Sequence, residues 1–349
     1  PPRGAARRFA IWRFARSKVS GRMVRNLFPA LLALGLAHPA LAQQAAPERA
    51  PDANPLTATI HLEDVERFVA VFRESGGNPT AEQLQQRYLE PGSLGVRVFT
   101  PDRIESAENL AAAIADNPSR YAEAIDRCLP LVRKADKDLR SIYLGLHGAL
   151  PEARLPQIYI VFGAGTSGGT AQPGAQVLGL EVLCAISPDD EAFRTTLRHF
   201  FAHETVHSLQ GDYAQGGIEN PLLRNVLMEG AADFIAALVT GEPPDASRAQ
   251  WAEPKEAELR AMLSADIALI DRALSDPSLA GDEANAAYLR WIGNYGHAPE
   301  GWPSELGYWM GMRIWEDYYA AAPDKHAALL EMLALSNPGP VLAAADFSY

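Results

Sequence analysis

The chain has 349 residues, 48% hydrophobic and 21% charged, with a formal net charge of −12. These are ordinary globular values for one large domain or two modest ones. The acidic balance argues against a nucleic-acid partner, because an acidic surface repels a phosphate backbone.

Residues 1–22 precede Met23 and read as an upstream extension or an unusually long basic leader. From Met23 the sequence runs MVRNLFPALLALGLAHPALAQQ, with Arg25 as a positive start, an apolar run from Leu27 to Leu36, and a small-x-small site at Ala40–Ala42. This is the pattern of a signal peptide over 23–42, cleaved near Ala42/Gln43. The apolar run is too short to span a membrane. Gln43 stands where a lipidated protein would carry Cys, so no stable membrane anchor is expected after cleavage. The expected location is periplasmic or secreted. Residues 1–42 hold eight Lys or Arg and no acid, so the rest of the chain has 23 basic residues against 43 acidic ones, a formal −20.

Residues 43–56, rich in Ala, Pro and Gln, predict a flexible leader, and the fold is expected to begin near Thr57. Over 57–154, the segments HLEDVERFVAVFRES, TAEQLQQRYL, ESAENLAAAIADN, YAEAIDRCLPLVRKA and DLRSIYLGLHGAL carry helical periodicity between Pro, Gly and Asn breaks. The texture changes at Leu155. LPQIYIVFG predicts a strand, AGTSGGTAQPGAQ a Gly-rich loop able to flex over a cleft, and VLGLEVLCAI a second strand. The loop lacks the Lys-Ser/Thr pair of a phosphate loop. An exposed edge at 176–184 would allow a peptide or protein substrate to pair with it as an added strand. Cys128 and Cys184 both sit in apolar contexts, compatible equally with a disulfide and with two buried thiols.

FRTTLRHFFAHETVHSLQGD follows. Phe193, Leu197, Phe200, Phe201, Val206 and Leu209 recur at helical spacing, Asp189 and Asp190 suit the N-terminus, and Gly211 is the expected stop. On this helix His203 and His207 are one turn apart on one face, so both imidazoles can bind one Zn²⁺ with Glu204 beside them as general base. His199, one turn earlier, belongs at the rim. A catalytic zinc takes a third protein ligand. The residue six past His207, where another histidine would extend the motif, is Tyr213. The next predicted helix, NPLLRNVLMEGAADFIAALVTGEPP, offers Glu229 as third ligand and, four residues on, Asp233 to accept a hydrogen bond from a ligand imidazole. Gly230, Ala231 and Ala232 are small enough for close helix approach. AEPKEAELRAMLSADIALIDRALSD, SELGYWMGMRIWEDYYAAAP and DKHAALLEML complete a mostly helical chain.

HETVH followed by EGAAD resembles the gluzincin arrangement of zinc metallopeptidases. More closely, the chain from about residue 58 onward resembles an uncharacterised bacterial family of predicted zinc-dependent proteases related to gliding-motility lipoproteins. The shared segments are EDVERF, HETVH, EGAAD, LGYWMGMRIWEDYY and the closing FSY. The resemblance implies an α+β, zincin-like fold; one continuous domain is expected over 57–349, with a helical part to 154 and a catalytic part from 155, because no linker beyond short turns appears between residues 134 and 156. The resemblance also implies peptide hydrolysis by a zinc-activated water, with His203, His207 and Glu229 as ligands and Glu204 as base. Tyr308 is the first candidate for an oxyanion donor, followed by His297 and Tyr295. Two other readings use the same residues: a zinc hydrolase of a non-peptide amide or cell-wall fragment, and a non-catalytic, metal-stabilised envelope binding protein.

Overall fold

The computed structural model describes residues 49–214, 216–276 and 281–349. The upstream extension, the signal peptide and residues 43–48 of the leader lie outside the described residues. The described chain falls within one compact unit, Pro47–Tyr349. Its architecture is α+β, mostly helical, with one four-stranded mixed sheet.

The sheet contains β1 (Ile60–His61), β2 (Gln157–Val161), β3 (Gly169–Gln172) and β4 (Ala175–Gly179), in the order β1-β2-β4-β3. β1 and β4 flank β2 in parallel, with Ile158 opposite Ile60 on one side and Gln176 on the other. β3 lies antiparallel outside β4, with Thr170 opposite Val177. β4 is buried along its whole length and β2 at four of its five residues, as expected of parallel strands covered on both faces.

The structure departs from the sequence expectations at three places. The segment 176–184 is neither one strand nor an edge. β4 ends at Gly179, and Leu180–Ala185 is a short helix. A buried apolar run has the same composition in either conformation, so periodicity does not separate them. Because β4 bonds to strands on both sides, the sheet's edges are β1 and β3, and β3 forms inside the stretch expected to be a Gly-rich loop. The leader is also not free from 49 onward. Arg49 forms two bonds to Asp212, at 2.5 and 3.0 Å, and the Ala53 N–H donates to the Leu155 carbonyl at 2.8 Å. Ala50 and Ala53 are buried. These are long-range contacts, which composition does not reveal.

The helical first half packs on the sheet through an aromatic cluster. Phe68 stacks on Phe162 with ring centroids 4.1 Å apart, and Tyr88 meets Phe68 edge-on at 5.3 Å. The Tyr88 hydroxyl donates to the Phe162 carbonyl at 2.7 Å and accepts from its N–H at 2.9 Å, so the end of β2 is held through both backbone groups. Cys128 and Cys184 form a disulfide, joining the helical half to the helix after β4.

The helix Asp190–Tyr213, which carries HETVH, packs against β3 and β4. Its buried face is stitched to the strands by polar bonds. The Gln176 side chain of β4 donates to the Phe201 carbonyl and to the Thr205 hydroxyl, at 3.2 and 2.6 Å. Ser208 donates to the Gln172 carbonyl at 2.8 Å. The helix Pro221–Thr240 packs next, and the helix Leu306–Ala321 packs against that. The last two meet glycine to glycine. A Cβ built on Gly230 would lie 2.2 Å from the Gly311 backbone, and one on Gly311 would lie 1.8 Å from the Val226 carbonyl oxygen. Only hydrogen fits at either position.

Candidate metal centre

The HETVH helix begins where the sequence predicts. Asp189 caps it, accepting the Ala192 N–H at 2.8 Å, and Asp190 and Glu191 occupy its first turn. It does not stop at Gly211 but runs to Tyr213. Gly211 has another reason to be small: a Cβ there would lie 3.0 Å from the Pro173 ring at the β3–β4 turn. The next helix starts with an Asn220 cap followed by Pro221, and ends at Gly241 in the left-handed conformation, φ 74°.

These two helices bring three acceptor atoms together. His207 Nε2 lies 3.0 Å from His203 Nε2 and 3.0 Å from Glu229 Oε2, and His203 Nε2 lies 3.4 Å from the same carboxylate oxygen. The outer nitrogens fix the tautomers. His203 Nδ1 lies 2.8 Å from Asp233 Oδ1, an oxygen that only accepts, so Nδ1 carries the proton. His207 Nδ1 lies 2.8 Å from Gln210 Oε1. The Gln210 amide nitrogen is committed to the Met228 and Met332 carbonyls, so its oxygen is the atom that faces His207. Both Nε2 lone pairs therefore point inward, beside a carboxylate.

Three lone pairs converging in a buried space repel unless a cation lies among them. A tetrahedral zinc with ligand bonds of 2.0–2.1 Å holds its ligand atoms about 3.3 Å apart, close to the observed separations. The donor set, two neutral imidazoles and one carboxylate with outer hydrogen bonds in place, fits such an ion. The electrostatics agree. Burial disfavours a charged His203, yet Asp233 and Glu229 outweigh it and raise its pKa to about 10. Burial also opposes ionisation of Glu229, yet His207 and His203 hold it well below the usual carboxylate range. The site attracts positive charge, whether a proton or a metal.

Glu204 is buried beside this cluster, and burial raises its pKa while the neighbouring histidines pull it back. β3 passes directly against it: a Cβ on Gly169 would lie 2.5 Å from Glu204 Oε1. A cleft of about 580 Å³ opens here, lined by Glu204 and His203, by Gly168 and Gly169, and by Tyr308. Tyr308 stacks on His203. Burial, followed by the surrounding carboxylates, keeps its hydroxyl protonated far above neutral pH. His199 lines the cleft at the rim, with Nε2 3.6 Å from Asp233 Oδ1, and burial depresses its pKa to about 4.

His297 is not part of the site. It is exposed in the loop after Asn294, outside the cleft lining, and its backbone N–H bonds to the Asn294 carbonyl. Its neighbour Tyr295 does line the cleft. Three residues that the sequence reading passes over matter here. Gln210 sits three residues after His207, a spacing that places both on one helix face and could have been read. Arg248 lies over the Tyr308 ring, 5.4 Å from its centroid, and 3.8 Å from Asp233. Glu305, at the start of the Tyr308 helix, accepts the N–H groups of Gly293, Asn294 and Tyr295. Neither Arg248 nor Glu305 has a local signal.

Compared with protein families, curated proteins and solved structures, the chain matches none. The geometry of the cleft therefore carries the functional argument by itself. Among the described residues no helix is long and apolar enough to cross a membrane.

Proposed function

We propose that this protein is a secreted or periplasmic zinc-dependent peptidase with a zincin-like core of gluzincin type. The observation that carries the reading is the meeting of His203 Nε2, His207 Nε2 and Glu229 Oε2, with Glu204 adjacent. Bound there, a zinc ion would polarise a substrate carbonyl and acidify a neighbouring water. The chain's own groups divide the remaining work. Glu204, buried and pushed toward higher pKa, takes the proton of the attacking water and returns it to the leaving amine. Tyr308, held protonated, donates to the developing oxyanion. Asp233 and Gln210 keep the imidazoles in the metal-binding tautomer. An extended peptide would pair with the outer strand β3, which runs past Glu204, rather than with 176–184. The Cys128–Cys184 disulfide supports an oxidising compartment.

The test joins elemental analysis to a broad peptide-library digest of wild type and Glu204→Gln. About one zinc per chain in both, with cleavage only in wild type, supports the reading. Absence of zinc after supplementation ends it. Zinc in both with no cleavage by either would favour a metal-stabilised binding protein.

A further inference from the structure

Behind the loop that leads into β3 lies a carboxylate with no role in the chemistry above. Glu181, in the first turn of the short helix after β4, is fully buried. Its Oε1 accepts the Gly163 N–H at 3.0 Å and the Gly165 N–H at 3.2 Å, while Oε2 is buried without a partner. Burying an acid this way is costly, and the two amide bonds it receives are made to one short stretch of backbone. That stretch continues through Thr166, Ser167 and Gly168, which line the cleft, into Gly169 against Glu204.

We propose that Glu181 is a positioning residue for the cleft: its carboxyl group holds the 163–169 loop, and its protonation state sets how firmly β3 is held against Glu204. The proposal rests on the peptidase reading only for its kinetic consequence. An ionised carboxylate accepts amide bonds about twice as strongly as a neutral one, and it also bears a greater cost of burial, so the hold on the loop changes with the charge. The other groups facing this position are fixed. Tyr88 and Tyr121 donate to the carbonyls of Phe162 and Gly163, and burial keeps both hydroxyls protonated. Arg120 lies against Gly165, whose backbone has φ 75° and whose added Cβ would be 2.4 Å from the guanidinium. Arg127 bonds to the Cys184 and Ser187 carbonyls at the far end of the short helix, and the Arg103 carbonyl accepts from Ala164 and Thr166. Burial, opposed by the two amide bonds and Arg120, raises the Glu181 pKa to about 7, so its charge changes in the range where the protein would work.

The test follows the Gly163 amide by NMR across pH 5 to 9. Phe162–Gly163 is the one Phe-Gly pair in the sequence, so carbonyl-labelled Phe with amide-labelled Gly identifies the signal. The expected result is one titration with a midpoint near 7 in wild type and a flat signal in Glu181→Gln. Arg120→Gln, which removes the guanidinium that favours the ionised form, should move the midpoint upward. A Gly163 signal that does not titrate in wild type, or that titrates alike in Glu181→Gln, overturns the proposal. Should Glu181→Gln fail to fold, an unchanged midpoint in Arg120→Gln overturns it instead. If peptides are cleaved, kcat/KM should show a limb at the Gly163 midpoint that is missing from Glu181→Gln. If none is cleaved, the peptidase reading fails, while the amide titration still decides whether Glu181 holds the loop.

Discussion

The ring of Tyr308 lies parallel to that of His203, with centroids 5.8 Å apart and planes 1° from parallel. In the proposed mechanism this phenol, carried on a different helix from His203, would donate to the carbonyl oxygen that gains charge. Tyr308→Phe keeps the ring and removes only the hydroxyl. Its expected effect is a fall in kcat of about 100-fold with zinc content unchanged, the magnitude of one lost oxyanion donor. Steady-state kinetics beside metal analysis checks it. An unchanged kcat would make Tyr308 a packing residue.

Asp233 touches no substrate in this scheme, yet it fixes His203 through a 2.8 Å bond. Asp233→Ala should weaken zinc binding roughly 10- to 100-fold, as loss of a ligand's outer hydrogen bond commonly does. Chelator competition measures this directly. Affinity equal to wild type would show that the tautomer of His203 is set by something else.

The contact between Gly230 and Gly311 leaves no room for a methyl group. Gly311→Ala would place its Cβ within 1.8 Å of a backbone oxygen of the helix that carries Glu229. The expected loss of stability is about 3 kcal/mol, the upper end of ordinary overpacking. A urea unfolding midpoint gives the answer, and a change under about 0.5 kcal/mol, typical of an open surface position, would show that the two helices separate easily.

Glu181 also makes a prediction about folding. Its folded pKa of about 7 stands above the ordinary value of 4.5 for a glutamate carboxyl. A carboxyl with a raised pKa contributes stability that is complete below the unfolded value and is lost as pH climbs through the folded value. Between pH 4.5 and 8 this group should therefore cost wild type roughly 3 kcal/mol relative to Glu181→Gln. Denaturation of both proteins at the two pH values tests it. A difference that stays constant with pH would mean the carboxyl does not titrate in that window.

What could be read from sequence was local. HETVH lies on a helix because its apolar residues repeat at 3.6 and Asp189 caps it, and Glu229 and Asp233 share a face because they are four apart. Such facts need only a few neighbouring residues. The unread parts depend on partners distant in sequence. β1 is two residues long and exists by pairing with Ile158 and Tyr159 nearly a hundred positions later. β3 is a glycine-containing stretch whose conformation is set by β4. Which strand is outermost is a property of the whole sheet, so the expectation of an edge at 176–184 failed while the strand beginning at Ala175 is real. The place of Arg248 over Tyr308 depends on a helix fifteen residues beyond Asp233, and no spacing rule reaches it.

The glycine crossing has a consequence for how such a protein can change. One of the two crossed helices carries Glu229 and Asp233, and the other carries Tyr308. With backbone resting on backbone, there is no side chain at the crossing to lengthen or shorten by a carbon. Variation there has no gradual path: the distance between Glu229 and Tyr308 is inherited as a single quantity. New specificity would have to come from the rims, through Tyr295, Pro243 and Ile186, while the central spacing passes unaltered from one variant to the next.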